Sequence, residues 1–198
     1  SQFVATHNVR TMAVHETHGV GRTLDVLSVY DRLGCDVIGL QETRRSGHST
    51  FTQAGYLVYY SGECGGENRE KKRQGGVGLA VRTSIRRAVL PPEFISDRLL
   101  EVTLQLRGRA NAVAFFVAYA PTGTHNASNK HVFWTTLDRA VEELMDDNAR
   151  TGRREKGRVG SKDNKIFGTY GRDTLNVNGE LLLSFANNHD LAIVNTLF

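Results

Sequence analysis

Apolar and polar residues alternate most regularly over residues 97–108, where Leu100, Val102, Leu104 and Leu106 interleave with Glu101, Thr103, Gln105 and Arg107. That period of two predicts a strand with one face in a core. Residues 110–122, "ANAVAFFVAYAPT", form a more continuous apolar strand that Pro121 ends. Further strands are predicted at 3–9, 36–42, 56–62 and 75–83, each a short apolar run next to glycine or charge. Three segments read as helices. In 21–34 the apolar residues fall at 24, 26, 27, 29, 30 and 33, a helical spacing that Gly34 closes. In 129–145, Phe133, Leu137, Val141 and Leu144 share one face. Residues 178–190 give a third helix, and "LAIVNTLF" at 191–198 a final strand. Strands bunch together, with helices between and after them. This order predicts an α/β sandwich rather than a regular βαβ repeat. No linker, repeat or low-complexity tract divides the chain, so residues 1–198 are expected to form a single domain.

Composition narrows the class. The 198 residues are 39% hydrophobic and 23% charged, with a net charge of +4. That is a globular balance, and no apolar run approaches the roughly 18 residues that span a bilayer, so no membrane partner is expected. The chain opens on Ser1 with a strand-like segment and no signal peptide, and is read as a piece of something longer. Basic residues cluster at 69–73, "REKKR", and at 150–165, where seven Lys or Arg stand against two acids. Each cluster fits either a solvated loop or a phosphate-facing surface. Cys35 and Cys64 share no local pattern and read as free thiols.

Candidate chemistry sits where strands run out. Asn8 follows "FVATH", Glu42 follows "VIGLQ", Tyr119 lies in "FFVAYAPT", and Asp146 and Asn148 lie in "MDDNAR". A strand end offers a rigid backbone and an accessible side chain. A carboxylate with amide neighbours, away from Cys and His, is a hard-oxygen set suited to Mg²⁺ or Mn²⁺ rather than zinc. Taken singly these signals are weak: a lone strand-end Glu is more often a surface residue or helix cap than a ligand, and a Tyr in an apolar strand is usually core.

Together, "THNVR", "IGLQETR", "GGVGLAV", "ISDRLL", "VAYAPT", "DDNARTG" and "NVNGELLLSF" follow one another in the order seen in the endonuclease/exonuclease/phosphatase superfamily. Within it the chain most resembles the endonuclease domains of LINE-type retrotransposons and the craniofacial-development-protein-2-like proteins related to them. The resemblance covers nearly the whole chain. It implies a four-layer α/β/β/α sandwich of the deoxyribonuclease I-like type. Glu42 matches the metal-binding glutamate and Asn8 the active-site asparagine beside it. Tyr119 matches the tyrosine that polarises the scissile phosphate. Asp146 and Asn148 line up with the Asp that orients the attacking water and the Asn that binds a phosphate oxygen. Arg44 and Arg98 are candidate phosphate contacts. The implied function is Mg²⁺- or Mn²⁺-dependent hydrolysis of a DNA phosphodiester, with DNA held through its phosphate backbone and a nuclear address.

Three departures from the family pattern bear on this expectation. His7 stands where a Trp is usual. "RAVEELM" runs straight into "DDNARTG", so the apolar strand expected before the Asp/Asn pair is missing and Met145 takes the place of a Gly. The chain ends at Phe198, ahead of the two further strands and the Ser-Asp-His triplet that close the family's domain. An incomplete sandwich with weak or absent turnover is the expectation, since a missing general acid/base lowers rate by about two to four orders of magnitude. Two other functions fit the same residues: a non-catalytic remnant that binds nucleic acid through its basic loops, and a phosphoesterase for a small molecule or lipid headgroup.

Overall fold

The structure, a computed structural model, describes residues 3–10, 12, 21–63, 75–107, 112–122, 124–151 and 176–189, and at 21 and 146–151 the backbone alone. The chain divides into two compact units, Ser1–Tyr119 and Ala120–Phe198.

The first unit holds both sheets. Strand β1 (Val4–Asn8) runs through helix α1 (Gly21–Arg32) into strand β2 (Val37–Gln41), and β1 and β2 pair in parallel. Strands β3 (His48–Gln53), β4 (Tyr56–Ser61) and β5 (Val77–Arg82) complete a five-stranded sheet in the order β1-β2-β5-β4-β3. A short 3-10 turn (Thr83–Ala88) leads to β6 (Glu93–Ser96), β7 (Leu99–Leu104) and β8 (Val113–Ala118), an antiparallel three-stranded sheet in sequence order. Helix α1 stops as its glycine predicted. Gly34 adopts φ +71. Its N–H bonds to Asp31 O at 3.0 Å, and Cys35 N–H bonds to Tyr30 O at 3.0 Å, which is a Schellman closure.

The three inner strands of the five-stranded sheet, β2, β5 and β4, are buried on both faces. On one, Leu27 of α1 packs with Ile38, Leu40, Val58, Tyr60 and Ala80. On the other, Val37, Val77, Leu79 and Val81 meet Leu100, Val102, Leu104 and Val117 of the second sheet. That explains why β2 and β5 read as unbroken apolar runs. Strand β7 keeps its alternation, with Leu100, Val102 and Leu104 buried and Glu101 and Thr103 half-buried between them. Strand β8 is less buried than its apolar run suggests, only Val117 being fully covered. His7, the departure from Trp, sets its ring edge-on to Tyr30 of α1 at 5.8 Å.

Three elements lie beyond the sequence reading: β3, β6 and the 3-10 turn. Strand β3, "HSTFTQ", has one large apolar residue, Phe51, and is held by its full ladder with β4. The two strands are joined by Ala54 and Gly55, at φ +49 and +79, a tight two-residue hairpin turn.

In the second unit, helix α2 spans Ala127–Thr151 and helix α3 Val177–Asn188. Asn126 caps α2, its Oδ1 accepting from Asn129 N–H at 2.8 Å, and Asn176 caps α3 in the same way, accepting from Gly179 N–H at 3.0 Å. Phe133, Leu137 and Ala140 form the buried face of α2, with Val141 and Leu144 half-buried. His189 follows α3, and its ring is buried. It stacks obliquely on Phe185 at 4.7 Å and bonds Asp138 of α2 at 2.6 Å. The basic clusters at 69–73 and 152–165, Cys64 and the strand expected at 191–198 lie outside the described residues; Cys35 is a free, buried thiol.

Candidate active site

The parallel pairing of β1 with β2 puts Asn8 opposite Gln41, so both strands run out at the same edge of the sheet. Glu42 is the next residue. Continued alternation would turn its side chain to the face opposite Gln41. Instead the backbone enters the left-handed region, with φ +56 at Glu42 and φ +54 at Arg44. Non-glycine residues rarely adopt that conformation, and each such residue costs about 1–3 kcal/mol. It persists because the segment is strapped on both sides. Thr43 N–H bonds Gly76 O at 2.9 Å, Arg44 N–H bonds Gly75 O at 2.9 Å, and Met12 N–H bonds Thr43 O at 2.7 Å. The strap is itself tied to the second sheet, since Gly76 N–H bonds Asp97 O at 2.9 Å. Gly76 takes φ +89, and a Cβ there would lie 2.4 Å from Thr43 Oγ1. Only glycine fits.

The re-aimed carboxylate is the meeting point of the two sheets. Glu42 Oε1 accepts from Asn8 Nδ2 at 2.7 Å and from Tyr119 Oη at 2.9 Å. Its other oxygen, Oε2, lies 3.6 Å from Arg44 Nη2. Asn8 cannot be the other way round, because its Oδ1 accepts from Arg10 N–H at 3.1 Å. Tyr119 is held from behind by Arg98. The Tyr119 N–H bonds Arg98 O at 2.9 Å, and the Arg98 guanidinium lies 5.2 Å from the phenol ring centroid.

Charge follows from these contacts. The Asn8 amide, and then the Tyr119 hydroxyl and the Arg44 and Arg10 guanidiniums, hold the Glu42 carboxyl below its ordinary range in spite of burial. Burial, and then the Glu42 carboxylate, push the Tyr119 phenol up. At neutral pH the pair is therefore an anion and a hydrogen-bond donor.

Of the residues expected from sequence, Asn8, Glu42, Tyr119 and Arg44 come together, and Arg98 supports Tyr119. Asp146 and Asn148 belong to the last turns of α2, which runs through them without an intervening strand; their side chains lie outside the described residues. Arg10 and the Gly75–Gly76 strap were not anticipated. Arg10 sits two residues after Asn8, and "GGVG" enters the sequence reading as the start of a strand and part of a family motif, not as a strap.

Among the described residues no group of three or more His, Cys, Asp or Glu side chains gathers to hold a metal. The donor at Glu42 is one ionised carboxylate, since Asn8 turns its Nδ2 to Glu42 and its oxygen to Arg10 N–H. That is too few for zinc, and it matches the way Mg²⁺ is bound: one or two carboxylates, with water and substrate phosphate completing the shell. Among the described residues no helix is long and apolar enough to cross a membrane.

Comparison with known proteins agrees with this architecture. The chain is 26% identical to craniofacial development protein 2 of Bos taurus and 24% identical to that of Tragulus javanicus, each over 98% of its own length. It spans about a third of those relatives, 31% and 32%. No solved structure gives a significant match. The sequence model of the Endonuclease/Exonuclease/phosphatase family matches residues 5–154, a stretch that includes Asn8, Glu42, Tyr119, Asp146 and Asn148. With two sheets packed face to face and a strand-end glutamate between them, the chain belongs to the endonuclease/exonuclease/phosphatase family.

Proposed function

We propose that the Glu42 site is the centre of a divalent-metal-dependent phosphodiester hydrolase whose substrate is DNA, with the nuclear address that substrate implies. The observation that carries the reading is the convergence of Asn8 and Tyr119 on one oxygen of Glu42, which leaves Oε2 outside both hydrogen bonds and 3.6 Å from Arg44 Nη2. Glu42 would hold Mg²⁺ or Mn²⁺; Asn8, the second metal ligand that the resemblance implies, would join it only by turning its oxygen away from Arg10 N–H. When bound, such an ion supplies polarisation of a phosphate oxygen and stabilisation of the leaving oxyanion.

The chain's own residues do the rest. Asn8 keeps the carboxylate ionised and oriented. Tyr119, protonated at neutral pH, gives its one hydroxyl proton to Glu42 Oε1 and would have to turn it from there to donate to the anionic phosphate. Arg44 adds positive charge beside the carboxylate. Preorganised donors of this kind stabilise a transition state more than a ground state. Asp146 and Asn148 complete the proposal as the water-orienting and phosphate-binding pair. The family match runs from residue 5 to 154, from the first compact unit into the second, which supports reading both as parts of one domain.

The test uses the 198-residue chain, supercoiled plasmid and Mg²⁺ or Mn²⁺, with Glu42→Ala alongside. Nicking by the wild type should be weak and that of the variant at background, and the Mn²⁺ signal seen by electron paramagnetic resonance should cease to titrate with protein in the variant. Equal nicking by both proteins, or unchanged Mn²⁺ binding, overturns the reading.

A further inference from the structure

The register of the five-stranded sheet points to a second contact on the same edge. Asn8 pairs with Gln41, Gln41 with Val77, Val77 with Ser61, and Ser61 with His48. These five residues form one rung across the sheet, so His48 lies on the edge that carries Asn8 and Glu42. Three strand spacings of about 4.8 Å separate it from Gln41, or about 14 Å. Rung neighbours share a face. Val77 packs into the core between the sheets, and Ser61 Oγ donates to Ser96 O of the second sheet at 2.6 Å. His48 projects the same way, and its ring stacks on Phe94 of β6 with centroids 4.6 Å apart and planes 15° from parallel.

Strand β3 is the outer strand of its sheet, and His48 is exposed at its start. The imidazole therefore has one face on Phe94 and one toward solvent. The turn between Glu42 and His48 carries Arg44, with its side chain 38% exposed; Arg45, in the same turn, rests over the Tyr60 and Phe51 rings on the opposite face of the sheet. An aromatic face beside a cationic side chain, here Arg44, is the combination that holds unpaired nucleic acid: charge tracks the phosphates, and any base can stack.

We propose that His48, backed by Phe94, is a base-stacking platform that holds an unstacked nucleobase of the DNA strand whose phosphate lies at Glu42. It rests on the reading of Glu42 as a phosphodiester site. At 3.4 Å of rise per nucleotide, 14 Å is about four steps along a strand, so the base belongs within about four nucleotides of the scissile phosphate. The partner is a strand with an accessible base: single-stranded, bulged or frayed.

The test measures binding without cleavage. A fluorescein-labelled 20-base single strand and the matching duplex are titrated in low-salt buffer with a chelator. His48→Ala should weaken single-strand binding about 5- to 150-fold and duplex binding less. His48→Phe should retain wild-type affinity. His48→Gln, which stays polar but loses the aromatic plane, should behave like His48→Ala. A 2-aminopurine in the strand should be quenched by the wild type and not by His48→Ala. Unchanged affinity in His48→Ala, equal losses on single strand and duplex, or a wild type that binds neither oligonucleotide overturns the platform. Because no bond is cut in this buffer, such a result leaves the nicking test of Glu42 standing. Nicking insensitive to Glu42→Ala would remove the catalytic reading without touching the binding measurement.

Discussion

At the scale of single residues, the site depends on one backbone angle and one hydrogen bond. The left-handed φ of Glu42 turns a side chain that alternation would send elsewhere toward Asn8 and Tyr119. The Asn8 bond is then the largest of the influences that hold the carboxyl low. Its folded pKa lies below the unfolded one, so the contribution to stability is present above the unfolded value, ordinarily about 4.3. It is lost as pH falls through the folded value. Asn8→Ala removes the main lowering influence and should raise the Glu42 pKa. Mn²⁺ binding followed from neutral pH downward should then fail at a higher pH in the variant than in the wild type. Coincident pH profiles would show that Asn8 does not govern the carboxylate. Sequence revealed these residues but not their meeting. Asn8, Glu42 and Tyr119 stand at strand ends, and only the ordered resemblance to a family suggested that the ends coincide. Arg10 gave no signal, because its backbone N–H fixes the Asn8 amide whatever its side chain, and its charge is the last and smallest of the influences on Glu42.

At the scale of elements, the strap between Gly75 and Gly76 matters more than its two residues suggest. It joins the Glu42–Arg44 segment to Asp97 by backbone bonds, so β2, β5 and the β6–β7 turn are fixed to one another at the site. Gly76→Ala sets a Cβ 2.4 Å from Thr43 Oγ1 and 2.9 Å from Arg44 N, on a backbone at φ +89. The expected destabilisation is about 1–3 kcal/mol, read as a lowered midpoint in thermal unfolding, together with weaker Mn²⁺ binding in the variant while it is still folded. A fully stable variant with normal Mn²⁺ affinity would mean that the strap does not position Glu42. The elements legible in the sequence were those with strong periodicity: β7 by alternation, β2 and β5 by unbroken apolar runs, α1 by spacing and its terminal glycine. Strand β3 was not, since an outer strand with a single large apolar residue is defined by the ladder it borrows from β4. Strand β6 has four residues and an irregular pairing, too short for a period to register.

At the scale of the whole molecule, the first unit divides its site between two sheets, and the core between them sets the spacing of the site. Asn8 and Glu42 belong to the five-stranded sheet, Arg98 and Tyr119 to the three-stranded one. Leu100 is fully buried between the sheets and sits opposite Val117, two residues before Tyr119. Leu27 is equally buried, but between α1 and the outer face of the first sheet. Truncating either to alanine should cost about 2–5 kcal/mol, because both cavities lie in close-packed cores. Their effects on function should differ. Leu27→Ala leaves the sheet-to-sheet contact intact. Leu100→Ala lets the second sheet settle against the first, and a displacement near 1 Å of a positioning group can lower a rate by about 10²-fold. With each variant assayed for plasmid nicking well below its own unfolding midpoint, Leu27→Ala should retain activity within a few-fold of the wild type, and Leu100→Ala should lose at least tenfold. Equal activity in the two would mean that the Glu42–Tyr119 contact is fixed by the local strap alone, independently of how the sheets pack.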